Sequence, residues 1–409
     1  MPFGFRAVAA LKFPPWVALL AGLCAAAAAQ VPVTGPASTR HPTPPNLEIR
    51  AIYFTGLMAG SAHGKQLAEQ WRAQGGNAIV FDVKDSDGPV SFNSSLPLAG
   101  HLKHPYISDL PEWINWLHEH GLYAIARMAV FKDERLVHEH PELAVRSRST
   151  GGIWLENGKA TWTDPSLEAV QNYNIHLAVE VANAGADEIQ FDYIRFPVDG
   201  NQKDARFTYQ AAAPATPRAD FISNYLYRAQ QALKPSGVHI SIDVYGVMAW
   251  AREVDLAATG QDVVSLAYFC DVMCPMIYPS HFFGDFDGIA DPGDAPEHFI
   301  HEGMERFNSA TQDTGVVIRP WLQAFAWRTK TFGTNYILIQ VAAERAQHGG
   351  GFMLWNAGNK YPIPFAAMPT MVAGGDKYFT GGFPYAITAL PAAAASSGGR
   401  PARSPRAPR

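Results

Sequence analysis

The sequence predicts an α/β fold, namely a (β/α)8 TIM barrel formed by a single domain with loop insertions and preceded by a signal peptide. Eight short runs of apolar and β-branched residues alternate with segments of helical periodicity, which leaves either a closed barrel or an open doubly wound sheet. The chain has 409 residues, a length that one α/β barrel with insertions can reach. No G-x-G-x-x-G follows the first run, which argues against the dinucleotide-binding open sheet. The closed barrel is therefore preferred.

Residues 1–29 are predicted to be the signal peptide. Arg6 and Lys12 precede an apolar stretch over 16–29, which is short for a bilayer span. Small residues stand directly before Gln30, as they do at signal-peptidase cleavage sites. We therefore expect export to the periplasm or the medium, with no stable membrane insertion after cleavage.

Three further segments follow from composition. Residues 30–47 are rich in Pro, Thr and Ser and are predicted to form a linker. The barrel is predicted over residues 48–385. Residues 386–409 consist mainly of Ala, Ser, Gly and Pro with several arginines, and such a tail cannot bury enough apolar area to fold.

The overall composition is that of an ordinary globular protein, with 47% hydrophobic residues and a formal net charge of -5. The acidic balance argues against a nucleic-acid partner, which requires a basic face. Without the signal peptide only Cys270 and Cys274 remain. Four positions apart in one extended strand, they are too distant for a disulfide, so we expect two buried thiols.

The eight strand candidates are apolar and β-branched, as expected for a parallel sheet covered by helices. They are IRAIYFT from Ile49, NAIVFDV from Asn77, LYAIARM from Leu122, EIQFDYI from Glu188, HISIDVY from His239, DVMCPMIY from Asp271, VVIRPWL from Val316 and GFMLWN from Gly351.

Helix boundaries are marked between these runs. Asp109 and Glu112 form a capping-box pattern, and Gly121 ends that helix. Asp164 followed by Pro165 is the pattern of an N-cap and a first-turn proline, which predicts a second helix start.

Strand alternation decides which residues enter the barrel. In the second run Ile79, Phe81 and Val83 share one face, so Asp82 and Lys84 lie on the interior face. The same alternation turns further side chains inward, namely Glu188, Gln190 and Asp192, then Ser241, Asp243 and Tyr245, then Arg319, Trp321 and Gln323. Each of these strands thus carries charged residues on its interior face.

Charged groups in a barrel interior must pair, contact water or contact substrate, because burying them alone is costly. A structural ion-pair network is one interpretation. Catalysis is the other, since the catalytic residues of barrel enzymes come from the carboxyl ends of several strands. Metal or cofactor chemistry is not expected. The loop KDSDG from Lys84 matches a calcium loop poorly, because Val83 stands where the first ligand should be.

Six motifs resemble one bacterial family. They are FDVKDSDG from Phe81, ARMAVFKD from Ala126, QFDYIRFP from Gln190, PMIYPSHF from Pro275, IRPWLQAF from Ile318 and LWNAGNKY from Leu354. The sequence from about Ile49 to Tyr361 is similar to the family known as the putative glycosyl hydrolase domain. It departs from the usual motifs at Ala129 and Gly358, neither of which is a charged position.

The resemblance implies a TIM barrel related to carbohydrate-active enzymes. The first hypothesis is a glycoside hydrolase that cleaves an extracytoplasmic polysaccharide or oligosaccharide with two carboxyl groups and no cofactor. The alternative is a non-catalytic glycan-binding or envelope-assembly barrel. Loss of Asp192 separates the two hypotheses, because a binding module has no turnover to lose.

The predicted catalytic pair is Asp192 and Asp243. Asp192 ends the fourth strand and is followed by Arg195, whose charge would hold it ionised as the nucleophile or stabilising carboxylate. Asp243, with the same parity in the fifth strand, is the predicted acid. Adjacent strands lie roughly 4.8 Å apart, so the two carboxyls should be about 5–8 Å apart. Asp82 is the reserve candidate, although an ion pair with Lys84 is the favoured role there.

The predicted substrate-binding residues come from the strand ends and the loops that follow them. They are Asp82, Lys84, Arg127, Arg195, Tyr278, His281, Trp321, Gln323, Trp355 and Asn356. Trp321 and Trp355 are expected to stack on the apolar faces of sugar rings. His281 either donates to a sugar hydroxyl or is satisfied within its loop.

Overall fold

The computed structural model describes residues 48–379. The predicted signal peptide, linker and C-terminal tail lie outside these residues. No helix within 48–379 combines the length and the apolar character needed to cross a bilayer.

Eight parallel strands form the barrel, one at each position where the sequence predicts a strand. They are β1 Ile49–Phe54, β2 Ala78–Lys84, β3 Tyr123–Ala129, β4 Glu188–Asp192, β5 His239–Tyr245, β6 Val272–Met276, β7 in two segments (Val317–Ile318 and Trp321–Gln323), and β8 Gly351–Trp355. Two two-residue strands, Arg146–Ser147 and Ala205–Arg206, pair antiparallel outside the barrel.

Twelve α-helices lie between residues 48 and 379. They are α1 Gly56–Ala59, α2 Ala62–Ala73, α3 Leu110–Glu119, α4 Glu134–Glu139, α5 Glu168–Asn183, α6 Tyr209–Ala212, α7 Arg218–Leu233, α8 Glu253–Thr259, α9 Val263–Ala267, α10 Pro296–Thr311, α11 Thr334–Ala346 and α12 Pro362–Gly374.

The first and last strands close the barrel. Strand β1 pairs with β2 on one side and with β8 on the other, in the register Ile49 to Gly351. Residues after β8 reinforce this junction, because the Tyr361 hydroxyl donates to the Tyr53 carbonyl oxygen at 2.6 Å and Asn359 Nδ2 donates to the same oxygen at 3.0 Å. The closed barrel with its surrounding helices confirms the predicted fold class.

The seventh strand is interrupted where the sequence predicts one continuous run. Pro320 has no backbone N–H and cannot donate to a neighbouring strand. Its carbonyl oxygen still accepts from Met353 N at 3.1 Å, and Arg319 N donates to Met273 O at 2.9 Å. The two segments therefore stay in the barrel, and the second one also pairs with β6 through Trp321 and Met276.

The core has two layers, as the strand alternation predicts. Ile79 and Phe81 pack outward against the helices, whereas Val80 and Met353 belong to a separate cluster inside the barrel. Cys270 and Cys274 are both buried and free, which confirms the prediction of two buried thiols.

Lys84 does not follow the predicted alternation. The pairing of β2 with β3 shifts between Asp82 and Lys84, which brings Lys84 opposite the outward-facing Met128. Its ammonium group donates to Asp133 Oδ2 and to Asn174 Oδ1, both at 2.9 Å. Lys84 therefore points toward helix α5, and its placement on the interior face is wrong.

One predicted helix start is confirmed and the other is wrong. Asp109 Oδ1 accepts from Glu112 N at 2.9 Å and caps α3. The helix predicted from Asp164 begins only at Glu168. Asp164 instead accepts from Ser166 N at 2.9 Å and from Thr208 N at 2.6 Å, so it joins this loop to the segment that precedes α6.

Candidate active site

A cleft of about 810 Å³ lies at the carboxyl ends of the strands, within the size range of small-molecule and cofactor sites. Eight of the predicted site residues line it, namely Arg127, Asp192, Arg195, Asp243, Tyr278, His281, Trp321 and Trp355. Four others, Asp82, Lys84, Gln323 and Asn356, do not line it. The structure thus gathers most of the predicted residues from separate strands into one cavity.

Arg127 at the end of β3 is the central cation of the cleft. Its Nη1 donates to Asp82 Oδ1. Its Nη2 and Nε donate to Asp192 Oδ2 at 2.5 and 3.2 Å, and its Nε lies 3.8 Å from Asp243 Oδ2. One guanidinium therefore contacts carboxyl groups from three strands and brings them together.

The two predicted catalytic carboxyls are close together. Oxygens of Asp192 and Asp243 lie 3.2 and 3.8 Å from the same Arg127 nitrogen, so these oxygens are no more than about 7 Å apart. This limit agrees with the separation expected from adjacent strands. It is far below about 12 Å, a distance beyond the reach of two-carboxylate hydrolysis.

Asp243 has the environment of a protonated acid. It is 1% exposed, and Trp321 Nε1 donates to its Oδ1 at 2.7 Å. Its Oδ2 has no hydrogen-bond partner among residues 48–379. Burial first, and then the negative charge of Asp192, raise the pKa of Asp243 well above its usual value.

Asp192 has different surroundings. Its Oδ2 receives the two charge-assisted hydrogen bonds from Arg127, and its Oδ1 accepts from Tyr193 N at 2.5 Å. Tyr193 has a φ of 51°, a left-handed conformation that is unusual for a bulky residue and is often found at functional sites. The ionic partner of Asp192 is thus Arg127, and Arg195 does not form the ion pair predicted for it.

Asp82 is a structural member of this network. It is 1% exposed and accepts hydrogen bonds from the Tyr53 hydroxyl and from Arg127. Burial raises its pKa to about 7, with a further contribution from Asp85 and opposition from Arg127. The predicted ion pair with Lys84 is wrong, because Lys84 lies on the other face of the sheet.

The two tryptophans of the cleft differ in their contacts and their exposure. Trp355 stacks on Tyr53 with ring centroids 4.1 Å apart, and the Arg127 guanidinium lies 5.1 Å from its ring. Trp321 meets Trp355 edge-on at 5.5 Å but is only 1% exposed. Trp321 therefore positions Asp243 and has little ring surface left for a sugar, whereas Trp355 is partly exposed.

Gln323 and Asn356 hold the loops beside the cleft. Gln323 is fully buried, its Nε2 donates to Phe325 O at 2.9 Å and its Oε1 accepts from Ser280 N at 3.2 Å. Asn356 Nδ2 donates to Ala324 O at 2.7 Å. Both side chains use their polar atoms within the protein.

His281 and Tyr278 form part of the cleft wall. Their rings are 5.2 Å apart, and His281 meets Trp327 edge-on at 4.9 Å. Burial, with a smaller effect of Arg328, lowers the pKa of His281. A neutral imidazole donates one hydrogen bond and accepts another, and Nδ1 of His281 already lies 3.3 Å from Ser280 Oγ.

A group of side chains that could hold a metal ion lies outside the cleft. Among residues 48–379, one group of three possible ligand atoms lies within 4.8 Å, on His301, Glu302 and Glu305. These residues belong to helix α10 and do not line the cleft.

Several cleft residues were not predicted from the sequence, among them Lys132, Tyr193, Arg252, Phe283 and Phe286. Tyr193 directly follows the end of β4, so its position could have identified it. The other four lie in loops, where no periodicity indicates the direction of a side chain.

Comparison with known proteins matches residues 51–361 to a family model described as a putative glycosyl hydrolase domain. The fold is similar to that of the PgaB (BpsB) glycoside hydrolase domain from Bordetella bronchiseptica, with 15% identity, a TM-score of 0.56 and coverage of 79% of this chain and 98% of that chain. It is also similar to the C-terminal domain of a putative chitinase from Desulfitobacterium hafniense DCB-2, with 12% identity, a TM-score of 0.51 and coverage of 80% and 99%.

A hypothetical protein from Ruminiclostridium thermocellum ATCC 27405 is 33% identical, with a TM-score of 0.42 and coverage of 47% of this chain and 97% of that chain. No curated protein matches the sequence significantly.

Proposed function

The chain belongs to the putative glycosyl hydrolase domain family, and from this premise we propose that it hydrolyses a glycosidic bond in the cleft with Asp192 and Asp243. The observation that supports this proposal most directly is that two carboxyl groups in contrasting environments lie within about 7 Å of each other. Glycosidases need one carboxyl that stays protonated and another that is ionised.

In the proposed reaction Asp243 gives its proton to the departing glycosidic oxygen. Its Oδ2 suits this step because Oδ1 is already bound by Trp321. Asp192, held by Arg127, attacks the anomeric carbon or stabilises its developing positive charge. Water then gives its hydroxyl group to the anomeric carbon and a proton back to Asp243, which releases the sugar and restores both carboxyl groups. Separations of about 5–5.5 Å are typical of retaining enzymes and of about 6.5–9.5 Å of inverting ones. The limit of about 7 Å favours retention.

Release of new reducing ends from a panel of bacterial envelope and plant polysaccharides tests the proposed function. We expect wild-type protein to release reducing ends from at least one member, and Asp192→Asn to release none from that member. Glycan binding by wild-type protein without release from any member would support the non-catalytic alternative instead.

We also propose that this reaction takes place outside the cytoplasm, on the basis of the predicted signal peptide, which lies outside the described residues. Protein recovered from its native host should begin at or near Gln30. N-terminal sequencing checks this, and an intact N-terminus would contradict the proposed location.

Activity should fall as the pH rises through the raised pKa of Asp243, because the acid must be protonated to react. The hydrogen bond from Trp321 favours the ionised carboxylate and so lowers that pKa. Trp321→Phe removes this bond, and the falling limb of the pH profile should move to higher pH. The pH dependence of kcat/KM, measured for the wild-type protein and for Trp321→Phe, shows whether the limb moves. A limb that stays in place or moves to lower pH would contradict the assignment of Asp243.

Trp355→Ala is expected to weaken productive substrate binding by about 1–3 kcal/mol, the range of aromatic stacking contributions. The physical reason is that Trp355 lines the cleft beside Arg127 and presents part of its ring to the cavity. KM and the melting temperature should be measured together. A large fall in melting temperature with unchanged kinetics would show that Trp355 only fills the barrel.

A further inference from the structure

Arg195 is a buried cation for which the described part of the chain provides no anionic partner. It lies three residues beyond the end of β4, lines the cleft and is 5% exposed. Its Nη1 donates to the Phe196 carbonyl oxygen at 3.0 Å. Within residues 48–379, no carboxylate oxygen lies within 4.0 Å of its guanidinium, and neither Nε nor Nη2 makes a hydrogen bond. Two donors of a buried charge therefore remain available.

Aromatic rings fix the position of this guanidinium. Its carbon lies 4.4 Å from the centroid of Tyr245, 4.9 Å from Trp162 and 5.5 Å from Tyr193. Cation–π contacts orient an arginine and stabilise its charge in part, but they leave its N–H donors unused. The group is thus held in advance of any ligand.

Other cations of the interior are neutralised within the protein. Arg127 contacts Asp82 and Asp192, and Arg319 binds Glu188 at 3.0 Å. Lys132, which shares the Trp162 ring with Arg195, binds Glu156 at 2.8 Å. A buried charge without such a partner is costly. Arg127 and Lys132 also line the cleft, but Arg195 is the one of these four cations that no carboxylate of residues 48–379 contacts.

We propose that Arg195 binds the anionic substituent, a carboxylate or a sulfate, of an acidic sugar unit in the substrate. The planar fork of Nε and Nη2 matches the two oxygens of such a group and can bind them in parallel. Arg195 lies on the same segment as Asp192, so the acidic unit would occupy the cleft next to the bond that is cleaved. This inference rests on the proposed function for its choice of a sugar ligand.

A second group of arginines supports an acidic polymer. Arg146, Arg148 and Arg206 line a depression of about 350 Å³, built on the short antiparallel pair that joins the loops after β3 and β4. None of the three forms an ion pair with another described residue. An acidic glycan that extends from the cleft over these loops would meet further positive charge there.

Equilibrium binding of matched oligosaccharides tests the proposal. The probes are tetrasaccharides of galacturonate, mannuronate and hyaluronan, each beside its carboxyl-reduced form, and a chondroitin sulfate tetrasaccharide beside its desulfated form. Full-length protein with Asp192→Asn is used so that turnover does not interfere. At least one acidic probe should bind about 10- to 100-fold more tightly than its neutral counterpart, the range for hydrogen bonds to charged groups. The carboxylate and sulfate arms identify which substituent is recognised.

Arg195→Gln in the same background should abolish this preference. Arg195→Lys keeps the charge without the fork and should retain part of it, which also provides a second variant if Arg195→Gln fails to fold. Arg218→Gln is the matched control. Arg218 also lies over two aromatic rings, Phe196 and Phe207, and donates to a backbone carbonyl, but it does not line the cleft. The control should keep the full preference.

Equal affinity for acidic and neutral probes, absence of binding by every acidic probe, or a preference that survives Arg195→Gln would overturn the inference. Turnover by wild-type protein is scored separately. Cleavage confined to neutral glycans would leave the proposed function standing and overturn the inference. Arg195-dependent binding of acidic probes without release of reducing ends would support the inference and count against hydrolysis.

Discussion

Asp243→Asn is expected to lower kcat by about 10²–10⁴-fold, the range for loss of a general acid, and Asp192→Asn by about 10⁴-fold or more, as for a residue that acts on the reacting atom. Asn has almost the same shape as Asp, but it can neither donate the acidic proton nor act as an anion. The remaining oxygen of Asn can still accept from Arg127 at position 192 and from Trp321 at position 243. The loss should therefore appear in kcat while the fold survives.

Two measurements assign the roles. An aryl glycoside with a good leaving group needs little protonation, so Asp243→Asn should retain much of its activity on such a substrate whereas Asp192→Asn should not. Added azide should restore activity to Asp192→Gly, because the small anion can take the place of the missing carboxylate. Asp187→Asn is the control, because Asp187 directly precedes β4 at the opposite end of the strand and binds Ala124 N at 2.8 Å.

If Asp192→Asn and Asp243→Asn both keep wild-type kcat, the catalytic pair is assigned wrongly. The pair of Asp82 and Asp192 would be the next to test, although Asp82 does not line the cleft.

Asp133→Asn is expected to reduce the free energy of unfolding by about 3–5 kcal/mol, the cost of leaving one member of a buried ion pair without its partner. Lys84 and Asp133 are both 0% exposed at their side chains and are joined at 2.9 Å. Burial lowers the pKa of Lys84, and the charge of Asp133 opposes this effect. Without Asp133 the folded protein must hold Lys84 as an unpaired cation or as a neutral amine.

Denaturant unfolding of three variants measures this effect. Asn can keep the hydrogen bond by which Asp133 Oδ1 caps α4 through Leu136 N at 2.8 Å, while Lys84 loses the counter-charge and the acceptor that Oδ2 provides. Lys84→Met in the Asp133→Asn background should recover much of the loss. The loss from Asp133→Asn alone should shrink between pH 7 and 10, because the unfolded lysine then also approaches its neutral form. A loss below about 1 kcal/mol at pH 7 would contradict this account.

The sequence predicted the barrel and much of its interior because strand alternation needs only local information. The alternation of side chains along each strand predicts that Asp192, Asp243 and Trp321 face the interior, and all three line the cleft. The motif containing Arg127 was part of the family resemblance. That Arg127 would bind two of the carboxyls depends on the order of strands around the barrel, so local pattern could not reveal it.

The errors arise where tertiary contacts override local pattern. Lys84 leaves the predicted face because the β2–β3 register shifts after Asp82, and no residue type at that point announces the shift. Asp164 and Pro165 have the pattern of a helix N-cap, but the Asp164 carboxylate also accepts from Thr208 N, 44 positions away. The sequence suggests the nearby Arg195 as the charge partner of Asp192, whereas the partner is Arg127, 65 positions earlier in the chain.

Closure of the barrel by β1 and β8 has a consequence for the order of folding. The Tyr53 backbone and the Tyr361 hydroxyl that fasten this seam are 308 residues apart in sequence. Until Gly351–Trp355 has been synthesised, one edge of β1 has no partner, and unpaired strand edges invite association with other chains. The seam is therefore the last part of the barrel that a growing chain can complete, and the nascent protein must keep its first strand from aggregating until its last strand arrives.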